Sequence, residues 1–197
     1  MAGGGELVTL PNLLTLLRLA LTPAVAALAY SPGTSARAWA LGLFLLAMAT
    51  DVADGLLARL PGQQSRLGLY LDPVVDKVVL LTMFFVLADL RMMPLWMALL
   101  MMAREFVVDG LRGAAATQGK VIGANVMGKT KAVLQTACIA LGLGLRVLAV
   151  EPSTARSWVT ACTAFTLLLA WVFAGIFLFH NKAVFGHQGS RSGGSGR

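Results

Sequence analysis

Charge is scarce in this sequence: only 13% of the 197 residues are Asp, Glu, Lys or Arg, where a soluble domain carries about 25%. With 57% hydrophobic residues beside it, that deficit excludes an ordinary water-soluble fold and makes lipid the expected solvent. Cysteine is nearly missing. Cys138 and Cys162 both lie in apolar runs, so they read as small buried hydrophobes, and a disulfide framework is not expected. No basic leader precedes the first apolar run, which carries Asn12 and Arg18; a cleaved signal peptide is therefore not expected. No internal repeat suggests a transporter built from two halves. Acidic residues number nine against sixteen basic ones, for a net charge of +7. The basic residues are scattered among apolar runs and line no polar face, which argues against nucleic acid and for anionic headgroups and phosphorylated substrates.

What is present is long apolar segments cut by helix breakers. A helix crossing about 30 Å of hydrocarbon needs roughly 20 residues at about 1.5 Å each. Six such segments are expected, over about 11–31, 35–60, 68–90, 94–119, 128–150 and from Pro152 to about 180, the last capped by Ser153 or Thr154. The breaks fall at Pro32-Gly33 and Pro61-Gly62 and around Pro94 and Pro152, as proline and glycine should place them. The fold class is all-α, a six-helix transmembrane domain over 1–185 with a flexible tail, 186–197. The inner connections hold Arg59, Arg66, Lys120, Lys129, Lys131 and Lys182 and the outer ones Arg37, Arg91, Arg146 and Arg156. That bias favours a cytosolic N-terminus. Trp39, Trp96 and Trp158 fall near the outer ends and suit an interfacial belt.

Four of the nine acids fall within 26 positions, in Asp51-Val-Ala-Asp54-Gly55-Leu-Leu-Ala58-Arg59 and Gly68-Leu-Tyr-Leu-Asp72-Pro-Val-Val-Asp76-Lys77. Spacings of three and four put each aspartate pair on one face of its helix. Only a short turn separates the two helices, so the four carboxylates converge near one membrane surface. Crowded like charges at low dielectric are costly unless neutralised. A cation is the natural partner, and carboxylates with no histidine or cysteine nearby suit Mg²⁺ or Mn²⁺ in place of zinc. Four such groups suffice for two ions, the arrangement that serves phosphoryl displacement. Gly55 and Gly68 leave room for a molecule to approach the helix backbones, and Arg59 is placed for a phosphate or a carboxylate. The competing reading is a structural network of these acids with Arg59, Arg66 and Lys77.

These residues read D-x2-D-G-x2-A-R-x8-G-x3-D-x3-D, which resembles the signature of the CDP-alcohol phosphatidyltransferases. The resemblance implies a six-helix membrane fold, often dimeric, that moves a substituted phosphate from a CDP-linked donor to an alcohol and releases CMP. It implies that Asp51, Asp54, Asp72 and Asp76 bind metal and that Asp76 doubles as the base for the acceptor hydroxyl. Asp54, Gly55, Ala58, Arg59 and Gly68 would form the cytidine diphosphate site.

Two further segments bear on the acceptor. Asn12, Thr15 and Arg18 recur every three residues on one face of the first helix, in a segment similar to the start of phosphatidylglycerophosphate synthases and of cardiolipin synthases. Arginine facing lipid is expensive, so Arg18 should point into the bundle, either toward an acceptor phosphate or as a structural partner for one aspartate. Ala103-Arg104-Glu105 through Asp109 and Arg112, followed by Gly128-Lys129-Thr130-Lys131, resembles the pattern of the bacterial phosphatidylglycerophosphate synthase branch of the family. That resemblance makes Arg112, Lys129 and Lys131, with Arg18 and Arg104, candidates to grip the phosphate of glycerol 3-phosphate. The bland alternative is that the lysines anchor helix ends at headgroups. Glu105 and Asp109 are expected to orient the basic groups. The expected reaction joins CDP-diacylglycerol and sn-glycerol 3-phosphate, in the cell membrane with the site facing the cytosol. The rivals are a phosphatidylinositol phosphate synthase, a cardiolipin synthase, or, from another class, a cation transporter whose buried acids line an ion path.

Overall fold

The computed structural model describes residues 10–57, 66–117 and 126–180, and within them every regular element is helical. The order is α1 (Leu10–Tyr30), α2 (Thr34–Leu57), α3 (Arg66–Asp89), α4 (Leu95–Thr117), α5 (Val126–Val147) and α6 (Pro152–His180). The breakers at Pro32-Gly33, Pro94 and Pro152 act where the sequence places them, and Pro61-Gly62 lies outside the described residues. α1 packs on α2 and α3, α5 on α2, α3 and α6, and α4 on α3 and α6. Pro23 and Pro73 lie inside α1 and α3, as neighbouring helices in a bundle allow.

Large apolar side chains occupy both the interior and the outside. Phe44, Met83, Phe84, Leu87, Met101 and Ile139 are fully buried, while Leu13, Phe106, Phe165, Leu168 and Phe179 are exposed. A soluble protein does not present so much apolar surface to water. Three described helices are long and apolar enough to cross a membrane, α1 over Asn12–Tyr30, α5 over Gly128–Val147 and all of α6, and α2 adds a shorter apolar stretch, Thr34–Thr50. α3 and α4 fall short because they carry Asp72, Asp76, Lys77, Arg104, Glu105, Asp109 and Arg112. The residues that weaken the membrane signal are those singled out for chemistry.

Two details differ from expectation. Cys138 and Cys162 are joined as a disulfide between α5 and α6, with a Cα–Cα separation of 5.9 Å. The two are 24 residues apart, and only the rotation of the helices about their axes brings them face to face. The α6 cap is Glu151, not Ser153 or Thr154. Its carboxylate accepts from the Ser153 hydroxyl and, at 2.9 Å, from the Thr154 N–H. These bonds hold it at a pKa of about 2. A depressed carboxylate pKa stabilises the fold above the ordinary range, so this cap is lost only as pH falls through about 2.

At the α6-start end of the bundle, α3 and α5 both close without glycine. Arg91 (φ 58°) and Ala149 (φ 50°) take left-handed conformations. The N–H groups of Arg91 and Met92 bond the carbonyls of Ala88 and Leu87 at 3.0 Å each, and those of Ala149 and Val150 bond Arg146 and Leu145 at 3.3 and 3.1 Å. This is the Schellman pattern, with a residue other than its usual glycine at the left-handed position. Such a conformation costs a side-chain-bearing residue roughly 1–2 kcal/mol, part of which glycine gives back through its greater freedom when unfolded. Ala149→Gly is therefore expected to raise the melting temperature by roughly 2–4 °C; an unchanged or lower value in a thermal scan would contradict this. A cavity of about 470 Å³ opens at this end, lined by Arg37, Arg91 and Arg146 among others. Arg37 of α2 ties the α1–α2 connection and α5 together there, donating to the carbonyls of Ser31 at 3.1 Å and Arg146 at 3.3 Å.

Candidate active site

At the opposite end, charged side chains pair across helices. On α1, Asn12, Thr15 and Arg18 form the expected stripe, each no more than 2% exposed. The Thr15 hydroxyl donates to Asp72 at 2.5 Å, and the Arg18 guanidinium donates to Asp76 at 2.6 Å. Arg18 thus points into the bundle, as the cost of an arginine in lipid requires, and its described partner is one of the four aspartates. Asp72 and Asp76 are only partly buried. Asp51, Asp54 and Gly55 lie in the last turns of α2, and Gly68 in the first turn of α3. The side chains of Asp51 and Asp54, together with Ala58 and Arg59, lie outside the described residues, and so does their expected convergence with Asp72 and Asp76.

The fit to a hard cation rests on the donor set. Asp72 and Asp76 offer carboxylate oxygens one helical turn apart, with no histidine or thiol beside them, which suits Mg²⁺ or Mn²⁺. Among the described side chains no three of His, Cys, Asp and Glu gather into a metal set.

A second group is built on α4 and α5. Glu105, 5% exposed, is its hub. It accepts from Lys131 at 2.5 Å and from Gln135 at 3.5 Å, and Arg104 lies 3.4 Å away. Arg104 also donates through Nε to the Ala170 carbonyl of α6 at 3.1 Å. Asp109 pairs with Lys77 of α3. Glu105 and Asp109 thus each pair with a basic side chain, and Lys77 is bound to Asp109 and not to an aspartate of its own helix. Arg112 stacks over Phe177 at 5.6 Å from the ring centre, a geometry that favours a cation.

These side chains surround a cavity of about 250 Å³, lined by five basic residues, Lys77, Arg104, Arg112, Lys129 and Lys131, against the acids Glu105 and Asp109. A neighbouring space of about 190 Å³ shares Lys77, Glu105, Arg112 and Lys131 and adds Asp76 and Gln135. The two spaces join the basic group to one of the aspartates. Of the candidate phosphate-gripping residues, the structure gathers Arg104, Arg112, Lys129 and Lys131. Arg18 lines neither space, although its partner Asp76 lines the second. Gln135 is the residue the motifs do not reveal. Its signal is a lone glutamine in an apolar helix, four positions after Lys131 and so on the same face.

A bundle that sets an aspartate pair beside a basic cavity, on a sequence with the D-x2-D-G-x2-A-R-x8-G-x3-D-x3-D spacing, defines a class. The pattern of the CDP-alcohol phosphatidyltransferase family matches residues 8–176, and the chain belongs to that family. Among its relatives, the probable phosphatidylglycerophosphate synthase of Mycobacterium tuberculosis H37Rv is 38% identical over 144 residues, 72% of this chain and 68% of that protein. The CDP-diacylglycerol–glycerol-3-phosphate 3-phosphatidyltransferase of Bacillus subtilis 168 is 35% identical over 135 residues, 62% of this chain and 69% of that one. The Escherichia coli K12 protein of the same name is 37% identical over 136 residues, covering 66% and 74%.

Proposed function

We infer that this chain transfers the phosphatidyl group of CDP-diacylglycerol to sn-glycerol 3-phosphate, forming phosphatidylglycerol phosphate and CMP. The observation that carries this reading is the space with Asp76 on its wall together with Arg112 and Lys131. A dianionic acceptor needs cations at one end and a proton acceptor at the other. The relatives' names point to the same acceptor.

Asp76 takes the proton from the acceptor's primary hydroxyl as that oxygen attacks the phosphatidyl phosphorus. A phosphorus–oxygen bond to the acceptor forms as the one to CMP breaks. Arg112, Lys129 and Lys131 hold the acceptor's phosphate, with Arg104 and Glu105 fixing Lys131 and the cavity wall. Arg18 and Thr15 orient Asp76 and Asp72. Asp51, Asp54, Asp72 and Asp76 would hold Mg²⁺ or Mn²⁺, two ions in our reading, and Gly55, Ala58, Arg59 and Gly68 the cytidine diphosphate. When bound, the metal offsets charge on the diphosphate and on the leaving CMP. All six helices cross the cell membrane in this reading, with the site on the cytosolic side and the lipid tails entering sideways. The enzyme works as a homodimer, as the family resemblance implies.

The test is an acceptor panel. Purified protein with Mg²⁺ and CDP-diacylglycerol is offered glycerol 3-phosphate, inositol phosphate, serine or phosphatidylglycerol, and CMP is measured. Release with glycerol 3-phosphate is expected; release only with another alcohol would defeat the choice of acceptor.

A further inference from the structure

We propose that Gln135 is a specificity-determining residue for the acceptor, its side-chain carbonyl taking a hydrogen bond from the secondary hydroxyl that glycerol 3-phosphate keeps through the reaction. The inference rests on the function proposed above and adds a contact to it.

Gln135 is 1% exposed and lines the space that also holds Asp76, Arg112 and Lys131. Its amide can face only one way. A carboxylate such as Glu105 accepts and does not donate, so the group 3.5 Å from Glu105 Oε1 must be the amide nitrogen. The carbonyl oxygen is thereby turned from Glu105, and it is buried with no donor among the described residues. Folded proteins rarely leave such an oxygen without a partner.

The missing partner has to be a donor. A phosphate oxygen would be repelled by the carbonyl, which excludes the anionic end of the substrate. The acceptor carries a phosphate, a reacting primary hydroxyl and a secondary hydroxyl between them. Arg112 and Lys131 suit the phosphate and Asp76 the reacting hydroxyl, so the secondary hydroxyl is the one left for Gln135. The position agrees, since Gln135 follows Lys131 by one turn on the same face of α5. The amide also has room to adjust. Its terminal torsion is soft, and the 3.5 Å bond to Glu105 lies at the long limit for a hydrogen bond.

The experiment compares kcat/KM for CMP release with glycerol 3-phosphate and with 3-hydroxypropyl phosphate, which lacks the secondary hydroxyl, in the wild type, Gln135→Met and Gln135→Leu. The wild type is expected to prefer glycerol 3-phosphate by roughly 10- to 100-fold, because the deoxy compound leaves a buried acceptor unmet. In the variants the preference should fall to within about threefold, mostly through slower use of glycerol 3-phosphate. A glutamine that only supports the fold would slow both substrates alike and leave the preference intact, which overturns the inference. A wild type indifferent to the hydroxyl overturns it as well, whatever the variants do. CMP release from neither compound would instead defeat the proposed function, and this contact with it.

Discussion

Asp76→Asn is expected to lower the rate of CMP release by about 10²- to 10⁴-fold, the range a positioned general base supplies. Asparagine has nearly the same shape and still offers an oxygen to Arg18, which bonds Asp76 at 2.6 Å, so the α1–α3 contact should survive. What it lacks is the negative charge and the capacity to take a proton. The effect should fall on turnover more than on nucleotide binding, since a base acts mainly in the chemical step. Asp51→Asn, by contrast, should weaken CDP-lipid binding more. Calorimetric affinities measured beside turnover test the division: equal loss of affinity in both variants would contradict it.

Glu105→Ala should be the most damaging change to stability outside the aspartates. Glu105 is buried and bonds Lys131, itself 9% exposed, and lies beside Arg104, 6% exposed. Alanine would leave two buried cations without their carboxylate, and breaking a buried pair from one side costs about 3–5 kcal/mol. In a chain of this size that corresponds to a fall in melting temperature on the order of 10 °C. Glu105→Gln, which keeps an acceptor oxygen but loses the charge, should fall between the two. A Glu105→Ala protein melting within a degree or two of the wild type would remove Glu105 as the hub of the α4–α5 contact.

The fold was legible where it depends on local chemistry. Pro32-Gly33, Pro94 and Pro152 mark the helix boundaries because they limit the backbone at their own positions, and the helices start and stop within a few residues of them. Arg91 and Ala149 carried no such signal, since neither is the glycine that usually marks a left-handed close. The candidate site was legible as a set of residues and much less as a set of contacts. Arg18 could be assigned to the interior from its charge alone, but its pairing with Asp76, 58 residues away, depends on the register between α1 and α3. The same is true of Lys131 with Glu105 and of Cys138 with Cys162. Gln135 was passed over because a single uncharged amide carries little weight in composition; it gains meaning only once the helix rotation sets it beside Glu105.

Three of the four indoles supply a depth gauge. Trp39, Trp96 and Trp158 are all exposed, in the first two turns of α2, α4 and α6, at the end where Arg37, Arg91 and Arg146 gather. Along α2, Asp51 stands twelve residues beyond Trp39, about 18 Å at 1.5 Å per residue. With the rings seated at one headgroup layer, the Asp51 position on α2 falls more than halfway through a hydrocarbon slab about 30 Å thick, on the side of the other layer. On the function proposed above, donor and product would share a leaflet, the newly made phospholipid would be left on the side where it was synthesised, and stocking the opposite monolayer would fall to a separate flipping step.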